Sequence, residues 1–294
     1  MKNQSITVAI STRHGAVNLV KTAESIVKSI NVDKFRFIVI ADTLPIKDSH
    51  LKKLKALGIE VHEYKKSRSL SAKLKQIVTM TKSGILVFTQ DDLLFDKHAL
   101  AEISKVMEDK SVTEVSSRIV PFPAQTTLEK IIEIGVNGVY KAGKMWNDSD
   151  NYLVASGRCM AFKVSTLKKM KIVDGITNLD AYLYFENKRV GGKFKFAKNS
   201  IVYNKSPMVV NEHMRQSSRF QYSKDELEKY FGDLTTEYQV PLLIYLAAFA
   251  SMFISHPIYS GLYLFLFVYT RVSKLNRKKI LNPLWKVDSS TKKI

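Results

Sequence analysis

The sequence holds one cysteine, seven prolines and twelve glycines in 294 residues, and its 27 acidic side chains are outnumbered by 46 lysines and arginines. The single thiol, Cys159, excludes an intramolecular disulfide framework and any metal site built on clustered cysteines. Its ordinary reading is a small core residue. Few glycines and prolines beside 45% hydrophobic residues exclude a disordered chain and allow a core of one large domain or two modest ones. No charged-then-apolar leader precedes the first strand-like run, Ile6-Thr7-Val8-Ala9-Ile10, so the N-terminal part is expected on the cytoplasmic side. There is no internal repeat and no low-complexity tract.

What is abundant is positive charge, formally +19, which favours an anionic partner. The basic residues recur from Lys2 to Lys293 rather than forming one arm. Neither an aromatic-basic sheet signature nor a zinc-finger spacing accompanies them, so nucleic acid is not the expected partner. Phosphorylated substrates and acidic lipid headgroups are.

Strands and helices alternate from the start. Ile6–Ile10, Phe35–Ile40, Ile59–Tyr64 and Ile85–Phe88 read as strands, with helices expected over Ala16–Ile30, Ser49–Leu57 and Ser71–Thr81. That rhythm implies an α/β fold with a mostly parallel sheet. Ligands of such sheets sit at the carboxyl ends of the strands, which here carry Thr12-Arg13, Asp42 and Gln90-Asp91-Asp92. Beyond, a strand over Val112–Val120, a Pro121-Phe122-Pro123 break and a helix near Thr126–Tyr140 suggest the half that receives an acceptor.

Pro241 to Tyr269 contains no Asp, Glu, Lys or Arg. As one helix those 29 residues would reach ~44 Å, against a hydrocarbon core of ~30 Å. Ser255-His256-Pro257 divides the run into two arms of roughly 15 residues, each short for a crossing. Arg271, Lys274, Arg277, Lys278, Lys279 and Lys286 follow, a tail assigned to the cytoplasm. A re-entrant hairpin or in-plane insertion keeps both ends on that side; a tilted crossing and a buried soluble hairpin are the alternatives. The expected division is 1–225, a catalytic domain; 226–239, a linker; 240–272, the membrane segment; and 273–294, the basic tail.

Several side chains are suited to chemistry, each with an ordinary alternative. Asp91 and Asp92 can hold Mg²⁺ or Mn²⁺ against a diphosphate, or cap a helix starting near Asp96 or Lys97. Asp42 can accept from a base or ribose, or form a turn. Asp180 can take a proton from a hydroxyl as general base, or cap a helix. Gln216 and Arg219 share a helical face on which a guanidinium can clamp phosphate, or are a solvated face; Phe220 beside them can stack or sit at a bilayer interface. Arg68 and Lys73 offer phosphate contacts or surface charge, and His213 a further metal ligand or a structural imidazole.

In order, these positions resemble the inverting glycosyltransferases of family 2 with the GT-A fold, in particular the membrane-bound branch of cellulose, chitin and hyaluronan synthases. The resemblance runs over about residues 5–225. Ile6 to Arg13 is similar to the family's opening strand and turn, and Phe37-Ile38-Val39-Ile40-Ala41-Asp42 to its second strand with a nucleotide-reading Asp. Leu86 to Asp92 resembles the Asp-x-Asp segment, with Gln90 at the first Asp and Asp92 at the metal-binding second. Asn178-Leu179-Asp180 stands in the place of Thr-Glu-Asp, and Gln216-Ser217-Ser218-Arg219-Phe220 in that of Gln-x-x-Arg-Trp. The resemblance implies a GT-A sheet flanked by helices and a divalent metal, Mg²⁺ or Mn²⁺. It implies a nucleotide-sugar donor, most readily a UDP-sugar, a glycan or lipid-linked acceptor, and Asp180 as base. Thr12, Arg13, Asp42, Lys73, Asp91, Gln216 and Arg219 would face the nucleotide or its diphosphate, and Asp92 with His213 the metal. Membrane lipids, and a homo-oligomer or membrane partner, complete the expected partners. Two other classes stay open: a membrane scaffold that kept the fold without the chemistry, and a basic protein binding lipid or nucleic acid through charge.

Overall fold

The computed structural model describes residues 5–13, 18–273 and 290–291. His14, Gly15 and Ala16, and the tail lysines and arginine at 274, 277, 278, 279, 286 and 293, lie outside the described residues. The first half alternates as its apolar periodicity requires: β1 (Ile6–Arg13), α1 (Leu19–Val27), β2 (Arg36–Asp42), α2 (Asp48–Ala56), β3 (Glu60–Tyr64), α3 (Leu70–Met80) and β4 (Ile85–Gln90). There follow β5 (Leu93–Phe95), α4 (Ala99–Met107), β6 (Val112–Pro121), α5 (Thr127–Met145), β7 (Cys159–Lys163), α6 (Val164–Leu167), α7 (Leu179–Arg189) and β8 (Lys193–Asn204). The chain then turns helical, with α8 (Val210–Phe231), α9 (Thr235–Tyr238), α10 (Leu242–Ser255) and α11 (Pro257–Val272). The boundary expected at residue 225 falls inside α8.

The strands form one mixed sheet in the order β3-β2-β1-β4-β7-β6-β8-β5. β1 lies between β2 and β4, both parallel to it, so the chain leaves β1 in one direction and returns on its other side. In open sheets of this kind such a reversal marks where ligands bind, beyond the strands' carboxyl ends. Ser11 pairs with Gln90 and Arg13 with Asp42, which sets Thr12 next to Asp91. β7 runs antiparallel to β4, with Thr89 opposite Cys159, and so brings the Ser156-Gly157-Arg158 turn to the same edge.

Alternation along the strands fills two layers. Val8 and Ile10 join a cluster with Leu19, Ile26, Leu100 and Ile103, whereas Ala9 faces one with Leu74, Ile77, Phe162 and Tyr182. Cys159 is buried in the first layer, and burial pushes its thiol up to about 12, as a core cysteine requires. α3 opens on Ser69, whose hydroxyl accepts from the Ala72 amide at 3.1 Å. α5 opens on a reciprocal capping box between Thr126 and Glu129.

α10 and α11 meet at the break at His256 and touch each other, with Pro257 at the first turn of α11, where its missing N–H costs nothing. Both pack on α5. Gly135 permits this contact: a Cβ there would lie 2.1 Å from the Tyr263 ring. Lys141 Nζ donates to Ser251 Oγ at 2.5 Å across the same interface. Among the described residues the outer face of α10 and α11 is apolar and exposed, Leu243 by 79%, Ile254 by 83% and Phe265 by 74%. Thr235–Ser255 is long and apolar enough to cross a membrane, by length and composition.

Candidate active site

The strand ends hold two kinds of carboxylate. The first kind is closed off. Asp42 is 1% exposed; its Oδ1 lies 2.9 Å from Lys73 Nζ and 3.9 Å from Arg13 Nε, and its Oδ2 accepts from the Arg68 amide at 2.6 Å. Lys73 donates also to the Thr12 carbonyl at 2.8 Å. Burial holds the Lys73 ammonium below its ordinary pKa, against the hydrogen bond and charge of Asp42, which raise it. Thr12 donates its hydroxyl to Asp91 Oδ2, and the Asp91 carbonyl accepts from Thr22 at 3.0 Å. Arg68 reaches Gln76 and lies over the Tyr64 ring. Thr12, Asp42, Lys73 and Asp91 are therefore buried and bonded to one another, a corner that ties β1, β2, α3 and the end of β4 together. Lys73 is neither a surface charge nor an exposed phosphate contact.

The second kind is partly open to solvent. Asp92 is partly exposed just beyond β4, on a bend leading into β5 rather than at a helix cap; the helix that follows begins only at Ala99. Asp180 is partly exposed in the first turn of α7. A short relay links the two segments: Gln90 Nε2 donates to the Gly157 carbonyl at 3.5 Å, and the Gly157 amide donates to Asp180 Oδ2 at 2.8 Å. A Cβ on Gly157 would sit 3.0 Å from Asp180 Cβ, so glycine is what lets the turn approach the carboxylate. Desolvation raises the Asp180 pKa above the usual aspartate value, while the amides of Gly157 and Ala181 and the Arg158 charge pull it down. A carboxylate with its basicity lifted, partly open to solvent and on a fixed backbone, is suited to accept a proton.

Arg158 was not legible from the sequence. Burial lowers its pKa, and the charges of Asp92 and Asp180 raise it, which sets one guanidinium within electrostatic range of both carboxylates. Only the β4–β7 register brings it there. Glu114, on β6, was missed too: it is fully buried, its two oxygens have no hydrogen-bond partner among the described residues, and desolvation lifts its pKa well above the usual range. The neighbouring charges of Asp150 and Asp180 push in the same direction.

The third segment lies on α8. Gln216 and Arg219 are partly exposed there and Phe220 is 61% exposed. His213, in the first turn, is partly buried, and burial lowers its pKa, favouring the neutral imidazole. Leu179, in the position where the resemblance has Glu, is a core residue of the second layer. Among the described residues no three His, Cys, Asp or Glu side chains converge as a metal cage.

The model for glycosyl transferase family group 2 matches residues 84–275, well over half of the chain. Among curated proteins none matches. Of solved structures, a mannosyltransferase from Pyrobaculum calidifontis, in complex with GDP-Man and Mn²⁺, aligns at 14% identity over 94% of this chain and 77% of its own, with a TM-score of 0.57. Glucosyl-3-phosphoglycerate synthase from Mycobacterium tuberculosis in complex with phosphoglyceric acid aligns at 14% identity over 77% of this chain and 79% of its own, with a TM-score of 0.54. Its complex with Mn²⁺, UDP-Glc and phosphoglyceric acid gives 0.51 at the same identity and coverage. At such identities the likeness is one of fold, the GT-A arrangement of a mixed sheet between helices. The family model covers the segments bearing Asp92, Asp180 and Arg219, leaving out β1 to β3 with α1 to α3, and the chain belongs to glycosyl transferase family group 2.

Proposed function

We propose that the protein transfers a sugar, with inversion, from a nucleoside-diphosphate donor to a hydroxyl of a lipid-linked or membrane-proximal glycan. Asp180 takes the proton of the acceptor hydroxyl, the freed oxygen attacks the anomeric carbon from the face opposite the diphosphate, and the bond to the diphosphate breaks with its electrons leaving on the nucleotide. One observation carries this reading: the Gln90–Gly157–Asp180 relay, which brings the segment bearing Asp92 and the helix bearing Asp180 together.

The residues fit a divalent ion of the kind named in the neighbours' complexes. Mg²⁺ bound with a diphosphate commonly takes one or two carboxylates and completes its shell with phosphate oxygens and water, so no protein cage is needed. Asp92 would hold it, with the neutral His213 as a further ligand, and when bound it would offset the charge of the departing diphosphate. Arg219, with Gln216, would clamp the same phosphates; a guanidinium suits that task by its two parallel donors. Arg13, partly exposed at the edge of the closed corner, would face the nucleoside, with the buried Asp42 holding it from behind and Asp91 and Thr12 shaping the bend behind Asp92. A UDP-sugar is the donor expected.

The exposed apolar face of α10 and α11 supports placement on a bilayer, with Phe220 at the interface and the catalytic domain on the cytoplasmic side. The test is release of nucleoside diphosphate across a panel of nucleotide sugars with Mg²⁺, Mn²⁺ or chelator, the protein being held in nanodiscs. The reading expects turnover with one donor, abolished by chelator and by Asp92→Asn. Mn²⁺ binding without turnover of any donor would favour a scaffold instead.

A further inference from the structure

Helix α7 carries Asp180 in its first turn, where Asp180 Oδ1 accepts from the Ala181 amide at 3.1 Å, but the side chain of the flanking residue, Asn178, makes no capping hydrogen bond. Unpaired amides at a helix start require acceptors. For the amides of Thr177 and Asn178 they come from another helix. Glu226 of α8 accepts from the Thr177 amide through Oε1 at 3.0 Å and from the Asn178 amide through Oε2 at 3.2 Å. Ser223, one turn earlier, accepts from Asn178 Nδ2 at 2.5 Å and lies 3.0 Å from the Tyr238 hydroxyl. Glu226 is 8% exposed, so its charge is used on those amides, not on solvent. Leu227 is fully buried beside it, and the Tyr182 ring of α7 meets Tyr230 and Phe231 of α8.

The spacing on α8 adds a second fact. Gln216, Arg219, Ser223, Glu226 and Tyr230 follow one another at intervals of three and four, so they form a single stripe on one helix. The upper part of that stripe holds the pair assigned to the diphosphate. Its lower part holds Thr177 and Asn178, the residues leading into α7.

We infer that Glu226 is a positioning residue: by bracing the start of α7 from α8 it fixes the Asp180 carboxylate relative to the Arg219 clamp, so that base and leaving-group contacts move as one body. This rests on the reading of Asp180 as the base. A carboxylate serves better than a neutral acceptor because two amides at the positive end of a helix share it. Loss of the brace would leave Asp180 present and ionisable but displaced, and small displacements of a reacting group are costly.

The experiment is steady-state turnover of wild type, Glu226→Gln, Glu226→Ala and Asp180→Asn in nanodiscs with the donor found in the panel, alongside thermal melting. Glu226→Ala should lower kcat by about tenfold to a hundredfold while the donor KM stays within about twofold. Glu226→Gln, which keeps one acceptor oxygen, should fall between it and wild type, and it serves alone if the alanine variant does not fold. A kcat unchanged in both Glu226 variants while Asp180→Asn is inactive would overturn the positioning role alone. So would parallel loss of kcat and donor affinity tracking the fall in melting temperature. Turnover persisting in Asp180→Asn would overturn the base assignment, and this role with it.

Discussion

The two sets of carboxylates at the strand ends differ in what surrounds them. Asp42 and Asp91 are buried and matched by Lys73, Thr12 and the Arg68 amide, so their charges are consumed in holding β1, β2, β4 and α3 in register. Asp92 and Asp180 are partly open to solvent, and Asp180 is kept in a setting that raises its pKa. In a sequence both sets look alike, as an Asp after an apolar run. The structure separates charge that stabilises the fold from that of Asp180, which the fold carries at a cost, and a perturbed carboxylate of this kind is what catalysis can use.

The comparison breaks most forcefully at Lys73. Lys73→Met leaves Asp42 buried without its cation, and removal of one member of a buried pair typically costs about 3–5 kcal/mol. A large drop in the urea midpoint is expected; a midpoint equal to wild type would show that the corner is not structural. Next comes Gly157, the contact between the two segments. Gly157→Ala should push Asp180 away and lower kcat by on the order of tenfold to a hundredfold, with little loss of melting temperature. The smallest effect is in pH. As the proposed base Asp180 would act deprotonated, and with its pKa raised kcat/KM should rise with pH through a limb above the ordinary aspartate range, ~3.9. A profile flat through that range would remove Asp180 from the rate-limiting proton transfer.

Much of the first layer was legible because β1, β2 and β4 are continuous apolar runs buried on both faces, and the helices between them are strongly periodic. β7 was not: Cys159-Met160-Ala161-Phe162-Lys163 is short and lacks alternation, and it is a strand because β4 and β6 flank it. β8 is broken by lysines and by a register shift near Ala197 and Ile201, which hides its period. The same cause hid Arg158 and Glu226. Both matter through partners far away in sequence, and no local pattern distinguishes a carboxylate that braces another helix from one in water. Asp92 and Asp180 stood out only because their order along the chain matched a family's. Lys73 showed the converse: a lysine on an amphipathic helix reads as surface, yet α3 turns it inward to Asp42.

The central claim is most directly tested by turnover and thermal melting of Asp180→Asn in one preparation. The raised pKa means that the folded chain gives up this proton less readily than the unfolded one, so ionised Asp180 costs stability as pH rises through the folded value. Removing the charge should therefore leave the melting temperature at neutral pH equal to wild type or above it, while kcat falls by about 10²–10⁴-fold. A variant that keeps wild-type turnover, or one that loses turnover only because it melts, would contradict the account.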